Sequence, residues 1–177
     1  MMTMEFIKIT EQSFQLVGMN FYGDPFENKS AWEEENGIGE LWRRFMKFYL
    51  AHEDAIKQQI NKHEFIEIHL TNDETKEKGL YEIFVGTQVK EFEAIPEACV
   101  AKQLPLRAYA VFSVKGDEIA SDWYHYMHHE WQPTSGYNII ESYSMILYDE
   151  HFKGMDQLDE SIVYAYVPLV RDDACDA

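Results

Sequence analysis

Twice along this chain a strand with period-2 alternation is followed by one amphipathic helix and then by two further strands. That repeated order limits the fold more than any single motif does. In the first half SFQLVGMNFY (13–22) alternates and is β-rich, and Gly23-Asp24-Pro25 ends it. Residues 27–39, rich in Glu, Asn and Gly with a lone Trp32, read as a loop. A helix is predicted from about Gly39 to Gln59: Leu41, Trp42, Phe45, Met46 and Tyr49 keep helical spacing, Ile56 and Ile60 extend the stripe, and Arg43, Arg44 and Lys47 take the other face. EFIEIHL (64–70) alternates cleanly, the charged stretch 71–79 closes on Gly79, and LYEIFVGTQV (80–89) returns.

The second half repeats this. LRAYAVFSV (106–114) is a strand, Lys115-Gly116-Asp117 a turn, and Asp117 the expected N-cap of a helix running to about Glu130. Ile119, Trp123, Met127 and Trp131 mark its apolar face, and residues 132–136 stop it because Pro133 cannot continue the ladder and Gly136 accepts left-handed φ. IIESYSMILYD (139–149) and SIVYAYVPLV (161–170) are partner strands, with Pro168 expected at an edge or a strand end. A three-stranded sheet with one helix covers only one of its faces. Two such halves can dock and share a core. The expected fold is therefore α+β: tandem pseudo-twofold β-α-β-β modules, about 12–97 and 98–170, in a single domain over 1–177, with a crevice along the join.

A chain of 177 residues can bury a core without staples, and 46% hydrophobic with 27% charged residues is globular rather than disordered. The charge sum, 15 cations against 32 acids, is −17. Such a surface repels phosphate and anionic membranes, so direct nucleic-acid binding and membrane association are not expected, and it draws in cations. Cys99 and Cys175 read as free thiols of a reducing cytoplasm. No signal peptide or membrane-spanning run is seen, and the expected location is cytoplasmic.

The aromatic share is 15%, more than a plain core of this size needs. Trp42, Tyr109, Trp123, Trp131, Tyr137 and Tyr143 sit at or beside predicted elements, and a hollow lined by such rings suits a flat apolar or cationic guest. Glu141 interrupts an apolar strand entry and shares a face with Tyr143, Met145 and Leu147. Turned inward, it selects a cation or acts as a general acid; turned outward, it is a surface acid, and alternation leaves the two open. Glu67 alternates with Ile66, Ile68 and Leu70 and is expected to point to water. His125 and His129 have i, i+4 spacing, but no third ligand joins them, so they read as a polar helix face and no metal site is expected. There is no GxSxG, P-loop or dinucleotide glycine run, and no cofactor is expected.

QLVGMNFYGDPF (15–26), ELWRRFMKF (40–48), FVGTQV (84–89), LRAYAVFSVKG (106–116), EWQPTSGYN (130–138), ESY (141–143) and IVYAYVPL (162–169) come in an order that resembles the GyrI-like domain, the effector-binding domain of AraC-type regulators. The resemblance implies an antiparallel-sheet fold with a central ligand cleft, in which the acid of the E-x-Y strand, Glu141, sits among rings. The ligand-binding set it suggests is Glu141, Tyr143, Tyr109, Trp131, Trp123, Trp42, Tyr137 and Phe21. Thr87 and Gln88 stand where many members carry a hydrophobic–acidic pair. Too few residues precede the first strand for a helix-turn-helix, so a stand-alone member is expected.

What the resemblance implies is a binding module for bulky hydrophobic, aromatic or cationic compounds, in drug or toxin sensing or sequestration. One alternative is a hydrolase of cyclopropane-bearing DNA-alkylating compounds, with Glu141 and Trp131 in catalytic roles. The other is an interaction protein acting on DNA gyrase or with a separate DNA-binding protein.

Overall fold

A computed structural model describes residues 4–27 and 36–171 of the chain. Trp32, most of the predicted 27–39 loop, and Cys175 lie outside the described residues. Two compact units are present, one formed by Ser13–Pro105 and the other by the stretches on either side of it.

In the Ser13–Pro105 unit, β3 (Tyr81–Gln88) is the middle strand of an antiparallel set, with β1 (Met4–Gly23) on one side and β2 (Phe65–Leu70) on the other. Gly18 pairs with Gly86, and the backbones approach so closely that a Cβ on Gly86 would lie 2.4 Å from the Val17 carbonyl oxygen. Helix α1 (Gly37–Ala51) starts on Asn36, whose side chain accepts from the Gly39 N–H at 2.9 Å. Its stripe of Ile38, Leu41, Phe45 and Tyr49 packs on Val17, Met19, Ile83 and Val85 of the sheet. A short α2 (Asp73–Lys78) fills the charged connection, capped by a reciprocal Asn72–Thr75 box and ended by left-handed Gly79.

Helix α1 stops at Ala51, before the predicted Gln59. Ile56 still reaches the core, but the chain turns back beside β3: Ile60 N–H donates to Gln88 O and Lys90 N–H to Gln58 O. Ile60 is consequently half exposed rather than part of a helical stripe.

In the other unit β7 (Ile162–Arg171) is the middle strand. Antiparallel β4 (Val100–Lys115) lies on one side, and β6 (Tyr143–Tyr148) and β5 (Tyr137–Ile139) lie in succession along the other. The strand predicted over 139–149 is thus two strands with a turn at Glu141-Ser142 between them. Pro168 lies inside β7, not at its end. Its carbonyl accepts from Ile140 N–H at 2.8 Å, so its missing N–H faces the place where β5 has ended and β6 has not yet begun, and no ladder bond is lost there.

The single helix predicted over 117–130 is replaced by four pieces: a 3₁₀ turn Gly116–Ala120, α3 (Trp123–Tyr126), a π turn Met127–Trp131 and α4 (Gln132–Ser135). Asp117 caps nothing; Asp122 is the cap, accepting from His125 N–H at 3.2 Å. Pro133 does not stop the helix either. The π turn before it shifts the hydrogen-bond pattern, Pro133 takes an early position in α4, and Gly136 ends that helix at φ 73°.

Candidate functional site

Ile66, Ile68 and Leu70 of β2 point away from α1, and Glu67 points under it. Glu67 is directly opposite Val85, which belongs to the face that α1 covers. Ile66 and Ile68, on the other face, are buried as well. The expectation that Glu67 faces water is therefore wrong: β2 is covered on both sides, and alternation reads a side as wet only when it is. The Glu67 side chain is 5% exposed. Trp42 Nε1–H donates to its Oε2 at 2.5 Å, and His69 Nε2, on the same face two residues along, lies 2.5 Å from Oε1. His69 is the wetter member of the pair, 26% exposed. Phe65, the next residue on that face, packs edge-to-face with Trp42, Phe45 and Tyr49, with centroids 5.2–6.4 Å apart. The result is a buried acid held by two ring N–H groups beside an aromatic cluster.

Thr87, also on β3, is fully buried and polar. Its hydroxyl donates to Glu64 O at 3.3 Å and accepts from Gln59 Nε2, which also reaches Tyr49 Oη. These bonds tie the irregular segment after α1 to the sheet. Phe21, by contrast, is half-buried on β1 and lines a separate groove with Gly37 and Leu41.

In the other unit the candidate rings divide between two faces. Phe112 lies on the helix side of β4, where Trp131 packs edge-on at 5.2 Å and Phe6 joins both. Trp123 donates its indole N–H to Glu118 O and Ile119 O within the 3₁₀ turn. Tyr109, three residues before Phe112, points to the opposite face. There its hydroxyl shares a 2.7 Å hydrogen bond with that of Tyr143, and Tyr166 stands 6.3 Å from its ring. Burial, and then the Tyr143 hydroxyl, push the Tyr109 phenol far up; the Arg107 charge offsets part of this. The Arg107 guanidinium sits 5.9 Å above the Tyr143 ring. Trp131 and Tyr109 therefore cannot face one guest within this unit.

Glu141 is exposed in the β5–β6 turn and is not on a strand face with Tyr143, because the strand breaks at that point. Its Oε1 accepts from Tyr124 Oη–H at 3.2 Å, and burial followed by the Glu141 charge raises the Tyr124 phenol. Tyr137 is half-buried at the start of β5 opposite Arg171. His125 and His129 are exposed and stack with centroids 4.7 Å apart; among the described residues no three His, Cys, Asp or Glu side chains converge on a metal position. Cys99 carries no disulfide, and burial pushes its thiol up.

Residues 9–169 match Cass2, the integron-associated effector binding protein family, which is GyrI-like. The chain belongs to this family. It is an effector-binding protein, and its α+β fold of antiparallel strands and few helices is the effector-binding one. Three solved structures show the same fold. SAV2435 bound to tetraphenylphosphonium is 14% identical, with 94% of each chain covered and a TM-score of 0.66. The C-terminal domain of EcmrR is 13% identical, with 94% of this chain and 98% of that one covered and a TM-score of 0.61. An integron cassette protein from the mobile metagenome of Vibrio cholerae is 15% identical, with 95% and 99% covered and a TM-score of 0.54. No curated protein sequence matches the chain. Among the described residues no helix is long and apolar enough to cross a membrane.

Proposed function

We propose that this cassette-family protein binds a bulky aromatic cation as its effector in the cytoplasm, with Glu67 as the charged anchor. The observation that carries this reading is the buried Glu67 beside Trp42 and the Phe65 cluster, in a chain of net charge −17. A buried acid beside clustered rings favours a soft, weakly hydrated cation, because each good cation–π contact such a guest makes adds about 0.5–2 kcal/mol. The field of the whole chain raises the local concentration of such a guest. The likeness to SAV2435, whose structure holds tetraphenylphosphonium, supports the chemical class.

Glu141, exposed in the β5–β6 turn, enters as a solvent-side acid that adds to the overall attraction. The test is titration of tetraphenylphosphonium by calorimetry. Glu67→Gln is expected to weaken binding about tenfold or more, the scale of a charge-assisted contact, and Glu141→Gln by less. Unchanged affinity in Glu67→Gln would remove Glu67 from the role.

The Glu67–His69 pair favours a second reading, hydrolysis of a strained ring, since an oriented acid–imidazole pair is what general acid–base chemistry uses. In it Glu67 and His69 take the roles that the family resemblance offers to Glu141 and Trp131. Turnover of a cyclopropane-bearing alkylator to a product one water heavier, abolished by Glu67→Gln, distinguishes it from binding. The acidic surface is what supports a protein partner, DNA gyrase or a separate DNA-binding protein.

A further inference from the structure

The strongest charge anomaly of the molecule lies on α1. Arg43, Arg44 and Lys47 are exposed within five residues, in a chain where acids outnumber bases 32 to 15. They are not spread over an open helix face. With Glu40 they rim a hollow of about 420 Å³ whose apolar wall is Phe21, Gly37 and Leu41. Its size falls in the range of small-molecule sites, roughly 300–1,000 Å³.

The hollow is built, not incidental. Gly37 N–H bonds to Pro25 O at 3.0 Å, and a Cβ at Gly37 would stand 3.2 Å from Pro25 Cα and 3.3 Å from the tip of Phe21, so a larger residue would press on its wall. Asn36 fixes the start of α1 there. Arg44 Nη2 donates to Asn20 O at 2.8 Å, which ties the guanidinium to β1 and orders its fork before any ligand arrives. Among the described residues no acid lies within bridging distance of Arg44 or Lys47, although Glu40 is one turn from Arg44.

We propose that this groove is a second ligand site, for a small aromatic organic anion: a flat apolar body against Phe21 and Leu41, with a carboxylate or sulfonate on Arg44 and Lys47. The cation proposed for Glu67 has no part in it. The large negative charge elsewhere does not forbid it, because charges beyond about 8 Å are screened at physiological ionic strength while the rim is in direct contact. The same negative charge argues against an acidic protein segment, which would have to bring a whole like-charged surface with it.

The probe is 8-anilinonaphthalene-1-sulfonate, followed by its fluorescence, with neutral N-phenyl-1-naphthylamine as the control of equal shape. The double variant Arg44→Gln, Lys47→Gln is expected to bind the sulfonate about tenfold more weakly and the neutral amine unchanged. Glu40→Gln is expected to tighten the sulfonate by about twofold or more, since it removes a like charge from the rim. Sulfonate affinity unchanged in the double variant, or both probes weakened alike, overturns the proposal. Should the double variant fail to fold by circular dichroism, Glu40→Gln decides: no tightening overturns it.

Discussion

Trp42 of α1 donates its indole N–H to the Glu67 carboxylate of β2 at 2.5 Å, twenty-five residues away in sequence. This bond places an acid beneath a helix, and with His69 it gives the buried oxygens partners that water cannot supply there.

Trp42→Phe keeps an aromatic ring over Phe65 but removes that donor. A buried acceptor stripped of a partner costs about 1–3 kcal/mol, so urea unfolding monitored by circular dichroism should report a loss in that range. Glu67→Gln keeps an oxygen for the indole and should be milder. A loss below about 0.5 kcal/mol in Trp42→Phe, the level of a neutral surface change, would show that the bond stabilises nothing.

Thr87→Val preserves shape while deleting the hydroxyl that links Gln59 to Glu64 O. The expected cost is about 1–2 kcal/mol. A local signature should accompany it: amide hydrogen exchange should speed up across residues 52–63, whose backbone meets the sheet through Ile60 N–H and Lys90 N–H. Thr87→Ser restores the hydroxyl and should recover the protection. Equal exchange in Thr87→Val and the parent chain would contradict the pinning role.

Much of this was legible from alternation. The strands containing Phe84, Tyr109 and Ala165 are strands, and Leu41, Phe45 and Tyr49 do bury one helix face. Alternation fails where a strand is covered on both sides, as β2 is, because polarity then reports a local bond and not solvent. A rule that buried acids need donors could have found Glu67: Trp42 and His69 were in the sequence, but only the register of β2 against β3 brings the acid under α1. The strand face expected to join Glu141 and Tyr143 fails for a different reason. The stretch from Tyr137 to Leu147 carries no Gly or Pro to mark the turn, which falls just after Ile140 N–H bonds to Pro168 O of the partner strand. The division of Trp131 and Tyr109 between opposite faces follows from Phe112, on which Trp131 packs, lying three residues from Tyr109 on β4, which the helix sequence does not reveal.

The Tyr109–Tyr143 hydroxyl pair carries a pH signature. Burial holds the Tyr109 phenol above its ordinary value of 10.0 in the folded chain, while in the unfolded chain it titrates near that value. Below about pH 10 the neutral phenol is favoured in both states and its stabilising contribution is complete. Above that, the unfolded chain releases the proton and the folded one retains it, so stability falls as pH rises, by at most about 1.4 kcal/mol per pH unit for this group. Tyr109→Phe removes the titrating hydroxyl. At pH 7 it should lose about 1 kcal/mol, the hydrogen bond to Tyr143. Between pH 10 and 11.5 its stability should decline less steeply than that of the parent chain, because other buried tyrosines contribute equally to both. Denaturant unfolding at a series of pH values measures the two slopes. Parallel slopes would mean that Tyr109 ionises in the folded chain as readily as in the unfolded one, and that this face is open to water.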